Sequence, residues 1–508
     1  MKRDGATISL WQFNVPDYQA KPTSFSGTTY DVLIVGGGIT GMATGLQLQQ
    51  AGKKCLIAEA HTLCFGTTGG TTAHINSFLD SSYDQITSGF GKEAAQLVSK
   101  ACRLSLQLFQ KNVSQYGIDC GWEEKVGYVY AQTQSQAEEL DKMLDASVAA
   151  GADVEYVQEI PVAQPFQKAI AFRHQAQLHP VRYVQALAQA FEAAGGVILQ
   201  HCPVDKFEEE NGMLRIETAN GKLKAKNLIW ATHTPPGINI LHFQLAPYRS
   251  YAIAVKLKND AYPDGLVYDM YDPYHYYRTQ EIDGEKYLIA GGEDHKTAHQ
   301  ADTEACFEAL IAHTRQYFEV AEITHRWSSQ YFEPADGLAY IGHLPGNPSN
   351  VYVATGFGGN GITYSHIAAI VLTDLLTKGD SEFKALFSPA RIKPIAGFAS
   401  FVKENADVVK EFIVKRLTAE KISSLSELAP GEAKLVIFEG EKIAMYKDEK
   451  GKLHALHPVC THAKCIVAWN NAEKTWDCPC HGARYAIDGT VLTGPARKGL
   501  QKIEVEGG

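Results

Sequence analysis

Residues 31–41, Asp31-Val32-Leu33-Ile34-Val35-Gly36-Gly37-Gly38-Ile39-Thr40-Gly41, decide how the first part of this chain folds. The β-branched run predicts a strand, the glycines predict a tight turn, and the apolar residues that follow repeat at helical spacing. Residues 54–58 predict a second strand, which leads into Glu59 about 20 residues beyond the glycines. Strand, glycine turn, helix, strand and acid form the order of a dinucleotide-binding unit.

The glycines of this turn have separate predicted tasks. Gly36 permits the turn, Gly38 lets the backbone approach a pyrophosphate, and Gly41 lets the helix pack on the strand. The helix N-terminus faces the phosphates with about half a positive charge, and Glu59 accepts hydrogen bonds from ribose hydroxyls. The motif does not choose between NAD and FAD, and a glycine-rich turn without a ligand remains an alternative. The predicted cofactor contacts here are Gly36, Gly38, Ile39, Thr40, Gly41, Glu59 and Ala60.

Later segments favour a flavin. Residues 66–74 form a second loop rich in small and hydroxyl residues, which can approach a flavin closely, although this composition also suits a surface linker. Residues 214–226 alternate around Asn220-Gly221, which predicts a hairpin followed by an apolar strand. Residues 351–363 predict another strand and glycine turn, and the helix that follows can stabilise negative charge on a reduced flavin. The predicted contacts in the second loop are Thr67, Thr68 and Thr72.

A metal-ligand pattern lies near the C-terminus. Cys460-Thr461-His462 and Cys478-Pro479-Cys480-His481 are separated by fifteen residues. Two thiolates and two imidazoles on two loops meet the needs of a Rieske 2Fe-2S centre, in which thiolates hold one iron and imidazoles the other. A zinc site is the alternative, because two cysteines and two histidines also suit tetrahedral zinc. The predicted ligands are Cys460, His462, Cys478 and His481.

Length and composition set outer limits. A chain of 508 residues suggests several structural units, and its 45% hydrophobic and 20% charged content is that of an ordinary globular protein. The net charge of −10 without a basic block argues against nucleic acid as a partner. No apolar run reaches the ~18 residues of a transmembrane helix, and the polar start does not resemble a signal peptide. We therefore expect a cytoplasmic location.

Together these motifs resemble the D-amino-acid oxidase family of FAD proteins, which includes glycine and sarcosine oxidases, over residues 29–378. Besides the glycine motif and Glu59, the resemblance rests on Gln177-Leu178-His179-Pro180, Trp230-Ala231-Thr232, Asp336-Gly337, Ile341-Gly342 and Gly356 to Thr363. It implies an α/β Rossmann-type FAD-binding domain and an α+β substrate domain, whose antiparallel sheet, with segments 247–256 and 286–292, covers the flavin. The further cofactor contacts that it implies are Val204, Thr232, Gly358, Gly359, Asn360, Gly361, Ile362 and Thr363.

Residues 421–508 resemble Rieske domains, which are all-β, in their two metal loops and in Gly494-Pro495-Ala496, which is similar to a cluster-shielding proline loop. The resemblance implies that Cys465 and Cys480 form a disulfide between the loops. Ala483 stands where high-potential members have a serine that bonds a cluster sulfur, whereas Tyr485 is retained. We therefore expect a reduction potential inside the Rieske range of about −150 to +300 mV rather than at its top.

The predicted organisation has three parts. Residues 29–378 form the oxidoreductase, 379–420 a helical linker and 421–508 the Rieske domain. In the linker, apolar residues from Phe398 to Leu417 have near-helical spacing, which predicts helices that dock the two domains or cap the catalytic one. The FAD-binding segments are 29–95, 175–235 and 325–378, and the substrate-domain segments are 96–174 and 236–324.

The resemblance implies that an amine or amino acid is oxidised at a C–N bond, and that electrons pass from flavin to cluster and on to an external acceptor. We expect Tyr276 or Tyr277 to shape the substrate pocket, unless these are only cross-strand aromatic pairs. Arg278 or Arg249 is expected to bind a substrate carboxylate with two hydrogen bonds. His74 is a candidate for covalent attachment to the flavin, or an ordinary hydrogen-bond partner.

Three other functions remain open. A flavin reductase fed by NAD(P)H would need a second nucleotide-binding glycine motif with full context, and the sequence shows one. A Rieske oxygenase would need two histidines and a carboxylate for a single iron, and His295, His299 and Asp302 are the nearest approach. A redox sensor would keep both cofactors without turnover.

Overall fold

The computed structural model of the protein describes residues 3–13, 15–22, 27–391, 420–421 and 427–504. The apolar run from Phe398 to Leu417 lies outside the described residues, so the linker helices stay a prediction, as do the domain boundaries. Within the described ranges, no helix is long and apolar enough to cross a membrane.

The helices and strands follow one another in the order expected from the sequence motifs. The helices are α1 (Ile39–Gln50), α2 (Thr67–Gly70), α3 (Tyr83–Phe90), α4 (Lys92–Tyr116), α5 (Gln134–Ala149), α6 (Pro180–Ala193), α7 (Glu304–Tyr317), α8 (Gly361–Lys378) and α9 (Lys384–Phe387), with a 3-10 turn at Ile240–Gln244. The strands are β1 (Thr29–Val35), β2 (Cys55–Ala58), β3 (His74–Ile75), β4 (Glu123–Ala131), β5 (Val154–Val157), β6 (Lys168–Gln177), β7 (Val197–Leu199), β8 (Val204–Glu210), β9 (Met213–Thr218), β10 (Gly221–Trp230), β11 (Leu245–Leu257), β12 (Leu266–Tyr268), β13 (Tyr276–Ile282), β14 (Glu285–Lys296), β15 (Val320–Pro334), β16 (Tyr340–His343), β17 (Val351–Thr355), β18 (Glu420–Lys421), β19 (Ala433–Phe438), β20 (Glu441–Lys447), β21 (Leu453–Leu456), β22 (Ala468–Asn470), β23 (Thr475–Asp477), β24 (Arg484–Tyr485) and β25 (Val491–Thr493).

A largely parallel sheet carries the dinucleotide-binding order. Its strands run β16-β17-β10-β1-β2-β7, and β8 and β9 extend it through antiparallel pairing with β10. Strand β1 pairs in parallel with β2, as expected for strands joined by helix α1, and in parallel with β10 on its other side. Val32 and Ile34 pack on the side of α1, while Leu33 and Val35 pack into the core on the other side. Because both faces are buried, β1 has a continuous apolar sequence.

A second, mostly antiparallel sheet has the order β15-β11-β14-β13-β12-β4-β6-β3, with β5 on β6. Strands β11 and β14 pair antiparallel, which confirms that the segments 247–256 and 286–292 belong to one antiparallel sheet. In β13, Tyr276 lies opposite Gly291, and a Cβ atom at residue 291 would stand 2.2 Å from the tyrosine ring. Only glycine therefore lets that ring lie across the sheet.

The C-terminal domain is all-β, as predicted. Its sheets have the orders β18-β19-β20-β21 and β22-β23-β24-β25. The first metal loop connects β21 to β22, and the second connects β23 to β24, so neighbouring strands present both loops at one end of the domain. Buried Trp476 and Tyr485 pack with the loop cysteines in a small core.

Residues 3–13 contact both domains, and Arg3 donates to the Ser328 carbonyl oxygen in β15 of the N-terminal domain. Arg3 donates to the Glu473 carboxylate at 3.0 Å, and Arg484 donates to Asp4 at 2.6 Å. These four side chains are between 0% and 2% exposed. Buried charges are tolerated only when they are paired, so this segment joins the domains through compensated ions.

Candidate functional site

A cavity of about 1020 Å³ is enclosed by the two large sheets and the C-terminal domain. Sixteen of the eighteen predicted cofactor residues line this cavity. The predicted cofactor residues that line it are Gly36, Gly38, Ile39, Thr40, Glu59, Ala60, Thr67, Thr68, Thr72, Val204, Thr232, Gly358, Gly359, Asn360, Gly361 and Ile362.

The glycine turn leaves no room for side chains. Gly36 has φ +114°, and a Cβ atom there would lie 2.3 Å from the carbonyl oxygen of Ala231. A Cβ atom at Gly41 would lie 1.9 Å from the carbonyl oxygen of Gly36, and one at Gly38 would lie 2.9 Å from Thr68 Oγ1. Gly41 does not line the cavity, and its role is the predicted packing of helix on strand. The bare backbone around Gly36 and Gly38 suits a pyrophosphate.

Glu59 is held at the end of β2 by backbone amides. Its Oε2 accepts from Gly37 N at 2.6 Å, and its Oε1 accepts from His61 N at 2.8 Å. Burial raises the pKa of this carboxyl group, while these hydrogen bonds act in the opposite direction. The carboxylate is thereby fixed at the cavity wall, where ribose hydroxyls can donate to it.

The second loop is tied to the elements around the cavity. Thr68 Oγ1 accepts from Ile39 N at 3.1 Å, at the start of α1, and Thr67 Oγ1 donates to Gln330 O at 2.9 Å. The hydroxyl of Thr363 exchanges hydrogen bonds with the Asn76 backbone. Thr363 is buried and does not line the cavity, so its side chain holds α8 against β3.

Asp80, which precedes α3, lines the cavity and binds the loop before α8, and its role was not expected from the sequence. Asp80 Oδ2 accepts from Gly359 N at 2.6 Å, and Asp80 N donates to Asn360 Oδ1 at 2.7 Å. Gly358 has φ +54° and a Cβ atom there would stand 3.0 Å from Asp80. Nothing in the sequence near Asp80 distinguishes it, because its partners lie almost three hundred residues along the chain.

Of the predicted catalytic residues, Tyr276 lines the cavity and three others do not. Tyr277 is on the opposite face of β13, where it packs near Phe318 with ring centroids 5.1 Å apart. Arg278 donates to the carbonyl oxygens of Ala73 and Leu178 at 3.0 and 3.2 Å. Its guanidinium group already donates hydrogen bonds to backbone carbonyl oxygens. The predicted binding of a substrate carboxylate by Arg278 therefore does not fit the structure.

Arg249 also lies away from the cavity. It donates to Ser328 Oγ at 2.8 Å and to Asp477 Oδ2 of the C-terminal domain at 3.3 Å. Arg249 and Asp477 are each 1% exposed, so this is a buried contact between domains. The predicted carboxylate-binding role of Arg249 therefore has no support in its position.

His74 lines the cavity, and its Nδ1 hydrogen-bonds to the hydroxyl of Tyr268. Burial and the positive charge of Arg278 lower the pKa of His74 well below its ordinary value, so the ring is neutral. Tyr268 and Asp294 are further lining residues that the sequence analysis did not assign. Asp294 could have been found from the sequence, because the adjacent carboxyl groups of Glu293 and Asp294 follow a strand that was predicted to cover the flavin.

The four predicted metal ligands come together. The imidazoles of His462 and His481 are 4.9 Å apart, and the Nδ1 atoms of both are buried without a hydrogen-bond partner in the described ranges. The Cys478 thiol is adjacent to that of Cys460, which Tyr485 Oη approaches to 3.2 Å. Two thiols and two open nitrogens fit a cluster that binds one iron through each pair.

The disulfide that the resemblance to Rieske domains implied is present. Cys465 and Cys480 form a disulfide between the two loops. Ala483 is fully buried and carries no hydroxyl, as the sequence indicated.

The residues considered for the mononuclear iron site of a Rieske oxygenase make other contacts. His295 uses Nε2 with Tyr251 Oη at 2.9 Å and Nδ1 with the Lys296 carbonyl at 2.8 Å. Asp302 accepts from Asn471 Nδ2 at 2.8 Å. Both groups are therefore engaged in structural contacts.

The metal loops face the wall of the cavity. His462 Nε2 donates to Gly237 O at 3.0 Å, and the ring of His242 lies 4.7 Å from that of His462. Gln330, which lines the cavity, donates to Gly482 O at 2.8 Å. A single strand, β15, thus touches both the cavity and the residue that follows His481.

Comparisons with known proteins agree with this arrangement. A family model described as FAD dependent oxidoreductase matches residues 31–375, and one described as Rieske 2Fe-2S domain matches residues 419–504. The chain is 30% identical over 503 residues to the putative Rieske 2Fe-2S iron-sulfur protein YhfW of Bacillus subtilis, covering 99% of this chain and 98% of that protein.

Two more distant similarities concern the N-terminal part. Gamma-glutamylputrescine oxidoreductase of Escherichia coli is 22% identical over 391 residues, covering 74% of this chain and 90% of that protein. The crystal structure of glycine oxidase from Geobacillus kaustophilus superposes with a TM-score of 0.61 at 20% identity, covering 72% of this chain and 99% of that one. At that identity the match supports the fold alone.

Proposed function

Since the chain belongs to the FAD dependent oxidoreductase family and carries a C-terminal Rieske 2Fe-2S domain, we propose the following reaction. A small amine or amino acid is oxidised at a C–N bond, and its electrons leave through the cluster to an external acceptor. Bound FAD supplies a hydride acceptor, and the 2Fe-2S cluster accepts electrons one at a time. The residues of the chain bind and orient these groups.

The FAD-binding residues are proposed from the cavity wall. Gly36 and Gly38 let the backbone approach the pyrophosphate, and Glu59 accepts from the ribose. The N-terminus of α8, beginning at Gly361, faces the cavity and stabilises negative charge on the reduced flavin ring. Val204 also lines the cavity, and Cys202 N, two residues earlier, donates to Glu59 O at 2.8 Å, so we assign the adenine to this region.

The observation that supports the electron route is the position of the second metal loop. A Cβ atom at Gly482 would come within 3.1 Å of the Phe332 ring and 2.7 Å of Gln330 Nε2, and both of these residues line the cavity. His481, a proposed iron ligand, directly precedes Gly482. Contact of the second metal loop with residues of the cavity wall favours transfer within the chain rather than direct loss to oxygen.

The proposal is tested by anaerobic titration with amines and amino acids while flavin and cluster absorbance are followed separately. We expect the flavin to be bleached first and the cluster second. Bleaching by NADH alone, at a competent rate, would instead identify a reductase. Retention of both colours with every amine and amino acid would indicate a redox sensor.

His481→Ala separates the two steps. This variant is expected to lose the cluster while substrate still bleaches the flavin, because the ligand lies outside the cavity. His454→Ala is the matched control, since His454 is in the same domain and pairs with Asp448 at 3.1 Å. Loss of flavin binding in His481→Ala would contradict the modular arrangement.

A further inference from the structure

Part of the cavity is walled by aromatic rings and one carboxylate. We call it the tyrosine chamber, and its members are Tyr268, Tyr274, Tyr276, Tyr331 and Asp294, all of which line the cavity. The ring centroids of Tyr274 and Tyr276 are 5.5 Å apart, and those of Tyr268 and Tyr276 are 6.2 Å apart. Tyr331 Oη donates to Asp294 Oδ2 at 2.8 Å.

Asp294 has spare hydrogen-bonding capacity. Its Oδ1 is buried and has no hydrogen bond of normal geometry among the residues that the structure describes, although the nearby Ser250 hydroxyl acts to lower the pKa of this carboxyl group. Burial raises the pKa of Asp294 to about 7, and the nearby charge of Asp80 acts in the same direction. A buried carboxylate oxygen without a partner is unfavourable until a donor or a cation reaches it.

Basic side chains are missing from this chamber. Among the described residues that line the whole cavity, the lysine and arginine side chains are Arg497 and Lys502, and both come from the C-terminal domain. Arg497 donates to the carbonyl oxygens of Asp205 and Pro236 at 2.9 and 3.3 Å. Proteins usually recognise a carboxylate with an arginine fork, whereas a carboxylate in this chamber would meet the charge of Asp294.

We propose that the tyrosine chamber binds the substrate as an alkylammonium ion without a carboxylate on the carbon that bears nitrogen, with Asp294 as its counter-ion. The inference rests on the proposed function and narrows its substrate class from amines and amino acids to amines. The ammonium group gains a charged hydrogen bond to Asp294 Oδ1 and cation–π contacts with the rings.

The chamber is held in shape before a ligand arrives. Tyr268 Oη accepts from Asn76 Nδ2 at 2.8 Å and also hydrogen-bonds to His74. The Tyr276 ring lies on the backbone of Gly291, as described above, and its Oη is 3.3 Å from Ser250 Oγ. Fixed rings reduce the entropy lost on binding.

An apolar wall adjoins the chamber. Phe78 packs with Tyr268 at 5.3 Å and with Phe172 at 4.4 Å between ring centroids. The wall consists of Phe78, Val129, Met143, Phe172 and Met270. It suits an alkyl chain, and each methylene buried there is expected to improve affinity roughly fourfold.

The reaction of such a substrate is balanced. The ammonium group would give one proton to the Asp294 carboxylate, and the adjacent carbon would give a hydride, which carries two electrons, to FAD when it is bound. The carbon–nitrogen single bond becomes the double bond of a protonated imine. Water then adds to that carbon, and the products are an aldehyde and an ammonium ion.

Pentylamine and norleucine provide a matched test, because they differ only by the carboxylate next to nitrogen. Each is added anaerobically to the holoenzyme, and flavin bleaching is followed. We expect pentylamine to bleach the flavin at least tenfold faster than either enantiomer of norleucine. Faster bleaching by norleucine would overturn this inference while leaving the proposed function intact. Bleaching by NADH, but by neither compound, would overturn both.

Binding is measured separately with tert-pentylamine, which keeps the N–H donors of an alkylammonium ion but has no hydrogen on the carbon that bears nitrogen and so cannot be oxidised. Calorimetry on Asp294→Asn is expected to show a Kd raised roughly 10- to 100-fold, because a charged interaction is lost from a buried site. Glu285→Gln removes a carboxylate at the exposed end of the same strand, where Glu285 pairs with Lys256 at 2.7 Å, and should leave the Kd unchanged. An unchanged Kd in an Asp294→Asn protein that retains FAD would overturn the assignment.

Discussion

Ala483 lies on the loop of the second metal pair, and Tyr485 lies in β24, the strand that follows it. The Ala483 carbonyl accepts from Cys478 N at 2.8 Å, and Tyr485 Oη lies 3.2 Å from Cys460 Sγ. Hydrogen bonds to cluster sulfurs raise the reduction potential. The chain therefore keeps one of two such donors.

Ala483→Ser is expected to raise the reduction potential of the cluster. One neutral hydrogen bond of about 0.5–1.5 kcal/mol corresponds to roughly 20–60 mV for a one-electron couple. A redox titration of the cluster signal measures the shift. Tyr485→Phe removes the donor that is present and should lower the potential by a similar amount. A serine variant with an unchanged potential would show that its hydroxyl does not reach the cluster.

Asp294 predicts a pH dependence of amine oxidation. The pKa of Asp294 is about 7 because it is buried, so its carboxylate is present above that pH and protonated below it. The charged or titratable groups around it are Asp80, His275, Tyr274, Tyr276 and Tyr331. We expect kcat/KM for pentylamine to fall tenfold per pH unit below about pH 7. In the Asp294→Asn variant, kcat/KM should not fall in this way below pH 7. If the same fall is seen in the variant, it arises from another titrating group.

At the scale of elements, the N-terminal segment is held to the C-terminal domain by the hydrogen bonds of Arg3 to Glu473, which precedes β23. Burial would raise the pKa of Glu473, but the positive charges of Arg3, Arg249 and Arg484 override it and hold the pKa at about 2. Because this folded-state value lies below the ordinary 4.5, the resulting stability is present above pH 4.5 and is lost as the pH falls towards 2.

Glu473→Gln is expected to destabilise the protein by about 3–5 kcal/mol at neutral pH, because it removes the carboxylate that pairs with buried Arg3 at 3.0 Å. Its Tm should also depend less on pH than that of the unmodified protein between pH 4.5 and 2. Glu304→Gln is the control, since Glu304 pairs with Arg326 at 2.8 Å with both side chains partly exposed. Equal losses of stability in the two variants would contradict the role of the buried network.

Elements with local signals were predictable from the sequence. The β1–α1–β2 unit and the β9–β10 hairpin formed where alternation and glycines indicated, because these patterns act over a few residues. The partners of Arg249 and Arg278 were not predictable, since Asp477 lies 228 positions from Arg249 and Ala73 lies 205 positions from Arg278. An arginine beside a predicted flavin-covering strand has the same local sequence whether it binds substrate or backbone.

At the scale of the whole molecule, the two domains are joined by buried contacts. They include the Arg249–Asp477 pair, the bond from Gln330 to Gly482 and the apolar contact of Phe65 with Ala486 and Leu492. This docking predicts that electron transfer from flavin to cluster is intramolecular. The rate of cluster bleaching after rapid flavin reduction should therefore be unchanged by tenfold dilution of the protein, measured by stopped flow. A rate proportional to protein concentration would show that transfer occurs between molecules.

The hydrogen bond from His462 to Gly237 has a consequence for the choice of oxidant. It covers the imidazole edge of the metal centre, and His242 packs against both histidines of that edge. Under the proposed function, an external acceptor would therefore collect electrons at a face of the cluster other than this histidine edge. The substrate and the terminal oxidant would then bind to separate surfaces, so a change of terminal oxidant would leave the substrate site unaltered.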